Sequence, residues 1–252
     1  MPLDPTVAAA GVKLIAHETV GSTNTEACAL ARAGERGPLW ITARAQTAGR
    51  GRRGNVWISE PGNVYASLLL SGVPCGRAGE LAFVAGLGVY DAVAELAPPV
   101  ASRLSLKWPN DVLLGGAKLA GILIEAEQDW AVVGIGINCA HHPKDTLQPA
   151  TDLTSAGAPL PADVMFSRLS KTLHVRLRQW AEGAGFAAVR SDWLIRAAGI
   201  GKDIRVRLPA QELAGQFQGL DETGHLLLRL PDGNIQVVSS GEVFALTAAG
   251  QG

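Results

Sequence analysis

Residues 49–57 read Gly49-Arg50-Gly51-Arg52-Arg53-Gly54-Asn55-Val56-Trp57, and the segments on either side of them restrict the fold more than any other stretch. Three glycines let backbone N–H groups come close to a ligand, and three arginines add permanently charged planar donors for carboxylate or phosphate. The pattern also matches a dinucleotide-binding fingerprint, which needs a strand before it and a helix after it. Leu39 to Ala43 supplies the strand. Downstream, Ile58 to Asn63 is turn chemistry, and Val64 to Leu70 is a second strand. A loop between two strands is therefore not that fingerprint. No HRD or DFG segment accompanies the loop, which excludes a kinase.

The chain has 252 residues and is 47% apolar, enough for one sizeable domain and a small second one. Its net charge of −1 makes the arginine loop a local feature of a neutral protein and argues against a general polyanion surface. Cys28, Cys75 and Cys139 are scattered and lack metal-ligand spacing, so reduced thiols in a cytoplasmic protein are expected. No signal peptide is apparent, and no apolar run spans a bilayer comfortably, so no membrane association is expected.

Periodicity predicts a strand at 12–16, then a helix opened by a capping box at Thr23 and Glu26. Strands are expected at 39–44 and 63–70, and a long helix at 78–96. A hairpin turns at Gly115-Gly116, with strands at 104–108, 111–114 and 118–127, and 130–137 follows. Helices are expected at 161–181 and near 185–198. Beyond Gly199, short alternating strands separated by turns suit a small β-barrel.

Three further segments carry chemistry. Lys107-Trp108-Pro109-Asn110-Asp111 puts an amide and a carboxylate at a proline kink, where they could meet a nucleotide or its Mg²⁺ or could form a simple turn. Ala117 to Glu125 places Lys118 at a strand start, and Gly121 bares the strand face, as where a ligand approaches. Gly134-Ile135-Gly136-Ile137-Asn138 ends an apolar strand with two glycines and an amide. His141-His142 lacks ligand spacing for a metal.

Together with Ser22-Thr23-Asn24 and Gln46 to Trp57, these segments resemble the biotin protein ligases, in the family's order and over roughly residues 12–247. The resemblance implies an α+β fold. Residues 1–199 would form a class II aminoacyl-tRNA synthetase-like catalytic domain, a mixed sheet with flanking helices, and residues 200–252 an SH3-like barrel. It implies ATP and biotin as substrates with Mg²⁺, formation of biotinyl-5′-AMP, and transfer to a lysine of a biotin carboxyl carrier domain of a biotin-dependent carboxylase. Many members carry an N-terminal helix-turn-helix repressor domain. Here the catalytic pattern begins by residue 12, so a ligase without that domain or nucleic-acid binding is expected, with a homodimer as an allowed assembly.

By matching positions, the resemblance assigns Ser22, Thr23, Asn24 and Gln46 to the biotin head, and Arg50, Gly51 and Arg52 to its tail and the phosphate. Lys118 becomes the main catalytic cation, between biotin carboxylate and α-phosphate, with Arg52 and Lys107 beside it and Gly121 on the biotin side. Gly49, Arg50, Trp57, Lys107, Asn110, Asp111 and Asn138 fall to the nucleotide, with Asp111 as the Mg²⁺ ligand. Two departures stand out. Asn55 replaces an arginine of many bacterial members, and no tryptophan occurs between 139 and 179 to stack on adenine. A lipoate ligase shares the fold and the acyl-adenylate logic. A non-catalytic nucleic-acid-binding module could use the Arg loop and barrel, although the net charge disfavours it.

Overall fold

The computed structural model describes residues 1–74, 76–144 and 146–245. Cys75 and residues 246–247 of the resemblance therefore lie outside the described residues. The chain begins with a short helix, α1 (Pro5–Ala9), followed by β1 (Lys13–Val20) and α2 (Thr23–Arg32). Next come β2 (Leu39–Gln46) and β3 (Val64–Ser71), flanking the arginine loop as expected. After them run α3 (Leu81–Leu96), α4 (Pro98–Ala101), β4 (Leu104–Lys107), β5 (Asp111–Leu114), β6 (Ala117–Glu127) and β7 (Trp130–Ile137). Helices α5 (Ala162–Trp180) and α6 (Phe186–Ile195) close this part.

Strands β1 to β7 form one sheet in the order β1-β2-β3-β7-β6-β5-β4. Only β1 and β2 pair in parallel; every other neighbour is antiparallel. Along β2 the side chains alternate between faces. Leu39 and Ile41 pack with Ala27 and Cys28 of α2, whereas Trp40 joins the larger core under α3 and α5. Gly88 lets those two helices approach closely, because an added Cβ there would lie 3.1 Å from Leu173 Cα.

One expectation about α2 is corrected. Its cap is Ser22, with extended backbone and a side chain accepting from the Thr25 amide, and Thr23 is already the first helical residue. Ser22 has no Glu or Gln three positions on, so the Thr23/Glu26 spacing is not a capping box. Cys28 and Cys139 are buried, which pushes their thiols up to about 11 and about 12. Neither is a poised nucleophile. Among the described residues no helix is long and apolar enough to cross a membrane.

Beyond residue 200, β8 (Asp203–Arg207), β9 (Glu212–Leu220), β10 (Leu226–Arg229), β11 (Ile235–Val238) and β12 (Glu242–Ala245) form a second, antiparallel sheet ordered β11-β10-β9-β8-β12. Its inward residues Ile204, Val206, Phe217, Leu226 and Leu228 are buried in the same apolar cluster as α3 and α6. Several polar ties cross the junction, among them Arg190 to Leu220 O at 2.8 Å and one from a buried indole. Trp108, only 2% exposed, donates its indole N–H to Gly224 O at 3.0 Å.

Trp108→Phe keeps most of the apolar volume but orphans that carbonyl. We expect a loss of about 1–3 kcal/mol, seen as a lower urea midpoint with an unchanged m value. An unaltered midpoint would show that the tie does not stabilise the junction.

Candidate functional site

Segments from across the chain converge on a cavity of about 380 Å³ lying over the middle of the large sheet. It is lined by the start of α2, the arginine loop, the kink between β4 and β5, the glycine stretches of β6 and β7, and the start of β12. Of the residues expected from the sequence, Ser22, Thr23, Asn24, Gln46, Arg50, Gly51, Arg52, Trp57, Lys107, Asn110, Asp111, Lys118, Gly121 and Asn138 all line it. Gly49 does not. A Cβ there would lie 2.3 Å from Trp57 O, so Gly49 serves the turn that closes the loop.

One end of the cavity is neutral and tightly wired. Gln46 Oε1 accepts from the Thr23 amide at 2.8 Å and from its hydroxyl at 3.1 Å, while Gln46 Nε2 donates to Ser59 Oγ at 2.8 Å. The Ser67 hydroxyl lies 2.6 Å from Asn24 Oδ1 and 2.8 Å from Thr23 Oγ1. Asn24 Nδ2 donates to Glu125 Oε2 at 2.9 Å. Gly134 is required here, because a Cβ on it would sit 2.1 Å from Asn24 Oδ1. These groups are fixed by an N-capped helix resting on a bare strand, a rigid frame for polar recognition of a small molecule.

The other end is cationic. Asp111 stands between two lysines, with Oδ1 2.6 Å from Lys118 Nζ and Oδ2 3.3 Å from Lys107 Nζ. Burial holds the Lys107 ammonium below the usual lysine range, opposed by the Asp111 carboxylate. Arg52 donates to Asn110 Oδ1 at 3.1 Å, and Asn110 Nδ2 in turn donates to Ile122 O at 2.6 Å. Burial, helped by neighbouring Arg53, lowers the Arg52 value, though guanidinium stays charged at any working pH. Arg50 pairs with Glu125 at 2.5 Å. Arg53 has φ 54° inside the short turn Arg52–Gly54, left-handed backbone that bulky residues rarely adopt.

The floor between the two ends carries no side chains. Gly121 of β6 and Gly136 of β7 are paired in register, and the Trp57 indole lies across both. Added Cβ atoms would approach that ring to 2.9 Å and 2.5 Å respectively. Lys118 Nζ sits 5.5 Å from the ring centroid, a cation–π arrangement. The indole N–H is buried and has no hydrogen-bond partner among the described residues.

Asp111, expected as a metal ligand, is thus engaged by two ammonium groups. Among the described residues no group of three His, Cys, Asp or Glu side chains is arranged to hold a metal ion. This donor set does not fit a protein-held Mg²⁺. His142 pairs with Asp152 at 2.5 Å, and His141 packs around Asn63, so both serve local loop structure.

A model described as the biotin/lipoate A/B protein ligase family matches residues 18–140, and one described as the biotin protein ligase C-terminal domain matches residues 199–246. The chain is 40% identical over 242 residues to the biotin–[acetyl-CoA-carboxylase] ligase of Paracoccus denitrificans, covering 88% of this chain and 96% of that one. The chain belongs to the biotin protein ligases. Its fold superimposes on the biotin protein ligase from Aquifex aeolicus in complex with biotin and ATP with a TM-score of 0.79. That pair is 29% identical and the match covers 92% of this chain and 97% of the other. The biotin protein ligase of Leishmania major in complex with biotinyl-5-AMP gives 0.63 at 26% identity, covering 90% and 99%.

Sequence reading of this biotin protein ligase missed Ser59 and Ser67, which orient the neutral end, and Glu125, which anchors Arg50. It also missed Gln148 and the Gly241–Val243 corner, which line the cationic end. Glu125 lay inside a recognised segment. Gly241-Glu242 carried no signal, because its place follows from how the two sheets dock.

Gly136→Ala tests the bare floor. A methyl 2.5 Å from Trp57 Cε2 must displace the ring. Acrylamide quenching of the Trp57 contribution, isolated by difference from Trp57→Phe, should therefore rise. Quenching equal to that of the unsubstituted protein would refute the packing.

Proposed function

We infer that the chain is an ATP-dependent ligase that activates biotin as biotinyl-5′-AMP and passes the biotinyl group to a lysine of a biotin carboxyl carrier domain. The observation that carries this is the union, in one cavity, of a fixed neutral polar end with a cluster of five cations, Arg50, Arg52, Arg53, Lys107 and Lys118. A reaction between a carboxylate and a triphosphate needs both halves: one to hold an uncharged head group and one to bring two anions together.

In the first step a biotin carboxylate oxygen attacks the α-phosphorus of ATP. The bond from that phosphorus to the bridging oxygen breaks, and pyrophosphate leaves. We assign the ureido head to Ser22, Thr23 and Gln46, with Asn24 beside them, and the apolar body to the Gly121–Gly136 floor. Lys118 is assigned to the space between carboxylate and α-phosphate, where charge accumulates in the transition state. Lys107, Asn110, Asn138 and the loop arginines take the nucleotide. Catalysis is then positioning and preorganised charge rather than covalent chemistry. Mg²⁺ would travel with the triphosphate and offset its charge. Residues 1–199 form the catalytic unit and residues 200–252 the second unit in this reading, with the Gly241–Val243 corner of the latter lining the cationic end.

Purified protein should catalyse biotin-dependent ATP–pyrophosphate exchange, and biotin rather than lipoate should raise its melting temperature. Lys118→Ala should slow exchange by about 10²–10³. Near-normal exchange by that variant would overturn the role of Lys118.

Trypsin reports on the loop. Arg50 and Arg52 sit among three glycines whose open-chain entropy is high. Ligand must offset the ordering cost, and closure keeps the adenylate from water. Biotin with ATP should therefore protect residues 50–53 from cleavage. Equal cleavage with and without saturating ligand would sink the closure.

A further inference from the structure

Only two carboxylates line the cavity among the described residues, Asp111 and Glu242. Asp111 is committed to Lys107 and Lys118. Glu242, at the first position of β12, receives one hydrogen bond on Oε1, from Gln148 Nε2 at 3.2 Å, and none on Oε2 among the described residues. Gln148 Oε1 in turn accepts from Lys107. Glu242 is thus wired to the cationic end without being neutralised by it. Its charged surroundings are Arg52, whose guanidinium reaches Gly241 O at 3.4 Å, Lys107 through Gln148, and Arg207, its register partner on β8. Arg207 itself stacks on Phe244 and lies 3.9 Å from Glu212. Val56 and Leu147, 79% and 88% exposed, mark the open side of the cavity, and Leu147 adjoins Gln148.

A carrier lysine faces two obstacles in this cavity. It arrives as an ammonium ion among five cations, and it must lose a proton before its nitrogen can attack. We propose that Glu242 is the catalytic base of the transfer step, a role that rests on the ligase reading above. The Glu242 carboxylate attracts the incoming ammonium and takes one proton, leaving a neutral amine. The amine lone pair forms the new N–C bond at the biotinyl carbonyl. The C–O bond to the phosphate breaks, its electron pair leaving on AMP. The nitrogen sheds its second proton to solvent, and Glu242 then returns the first to solvent.

The test compares two nucleophiles with full-length protein preloaded with biotin and ATP. Glu242→Gln keeps size and the contact to Gln148 but cannot take up a proton. With a carrier domain of acetyl-CoA carboxylase, single-turnover transfer near neutral pH should fall about 10²-fold relative to pyrophosphate exchange. The deficit should shrink as pH rises and the lysine deprotonates unaided. With hydroxylamine, a neutral nucleophile, the two proteins should react alike, and Glu242→Asp should recover part of the carrier rate. A parallel fall with both nucleophiles, or a pH-independent deficit, would overturn the base role and leave a structural one. Absence of biotin-dependent exchange in the unsubstituted protein would instead overturn the ligase reading itself.

Discussion

Five cations share one cavity, and the surrounding structure is arranged to make that crowding tolerable. At a separation of a few ångströms and an effective dielectric of about 20, two like charges repel by roughly 4 kcal/mol. The chain answers with carboxylates placed between or beside the cations: Asp111 between Lys107 and Lys118, and Glu125 against Arg50. Carbonyl and amide oxygens do the rest, as at Asn110 and Gly241 for Arg52. A cavity balanced in this way attracts anions while leaving the net charge of the whole chain at −1.

Much of this was legible in the sequence because the relevant signals are local. Glycines in β6 and β7, the arginine loop and the Lys-Trp-Pro-Asn-Asp kink each have a backbone or charge requirement that few residues meet, and the structure brings them together. What escaped was long-range. Ser67 acts from β3 across to α2, and Glu242 from the second sheet into the first domain's cavity, separations that no periodicity encodes. The capping assignment failed for a smaller reason. Thr23 and Ser22 are both good caps, and Thr23 is instead used by Gln46, which fixes the helix start one residue earlier.

The second sheet is more than an appendage. Its interior is continuous with the core beneath α3 and α6, Gly224 lies where a Cβ would press 2.7 Å against Phe83, and Trp108 spans the junction. Trp108 adjoins Lys107 and the Pro109 kink, so the same strand end that presents charge to the cavity is bolted to the second sheet. Packing at the junction and geometry at the cationic end are mechanically one problem.

The Arg50–Glu125 pair also bears on turnover. Both side chains are partly exposed, so the pair is worth at most about 1 kcal/mol to the resting loop. An anion that draws Arg50 away leaves Glu125 with its hydrogen bond from Asn24 alone. One contact is exchanged for another of similar strength, and the carboxylate acts as a weak return spring. A loop biased in that way can fold over an anionic ligand and still reopen, so a firm hold on the reactive species would not have to become a hold on the product.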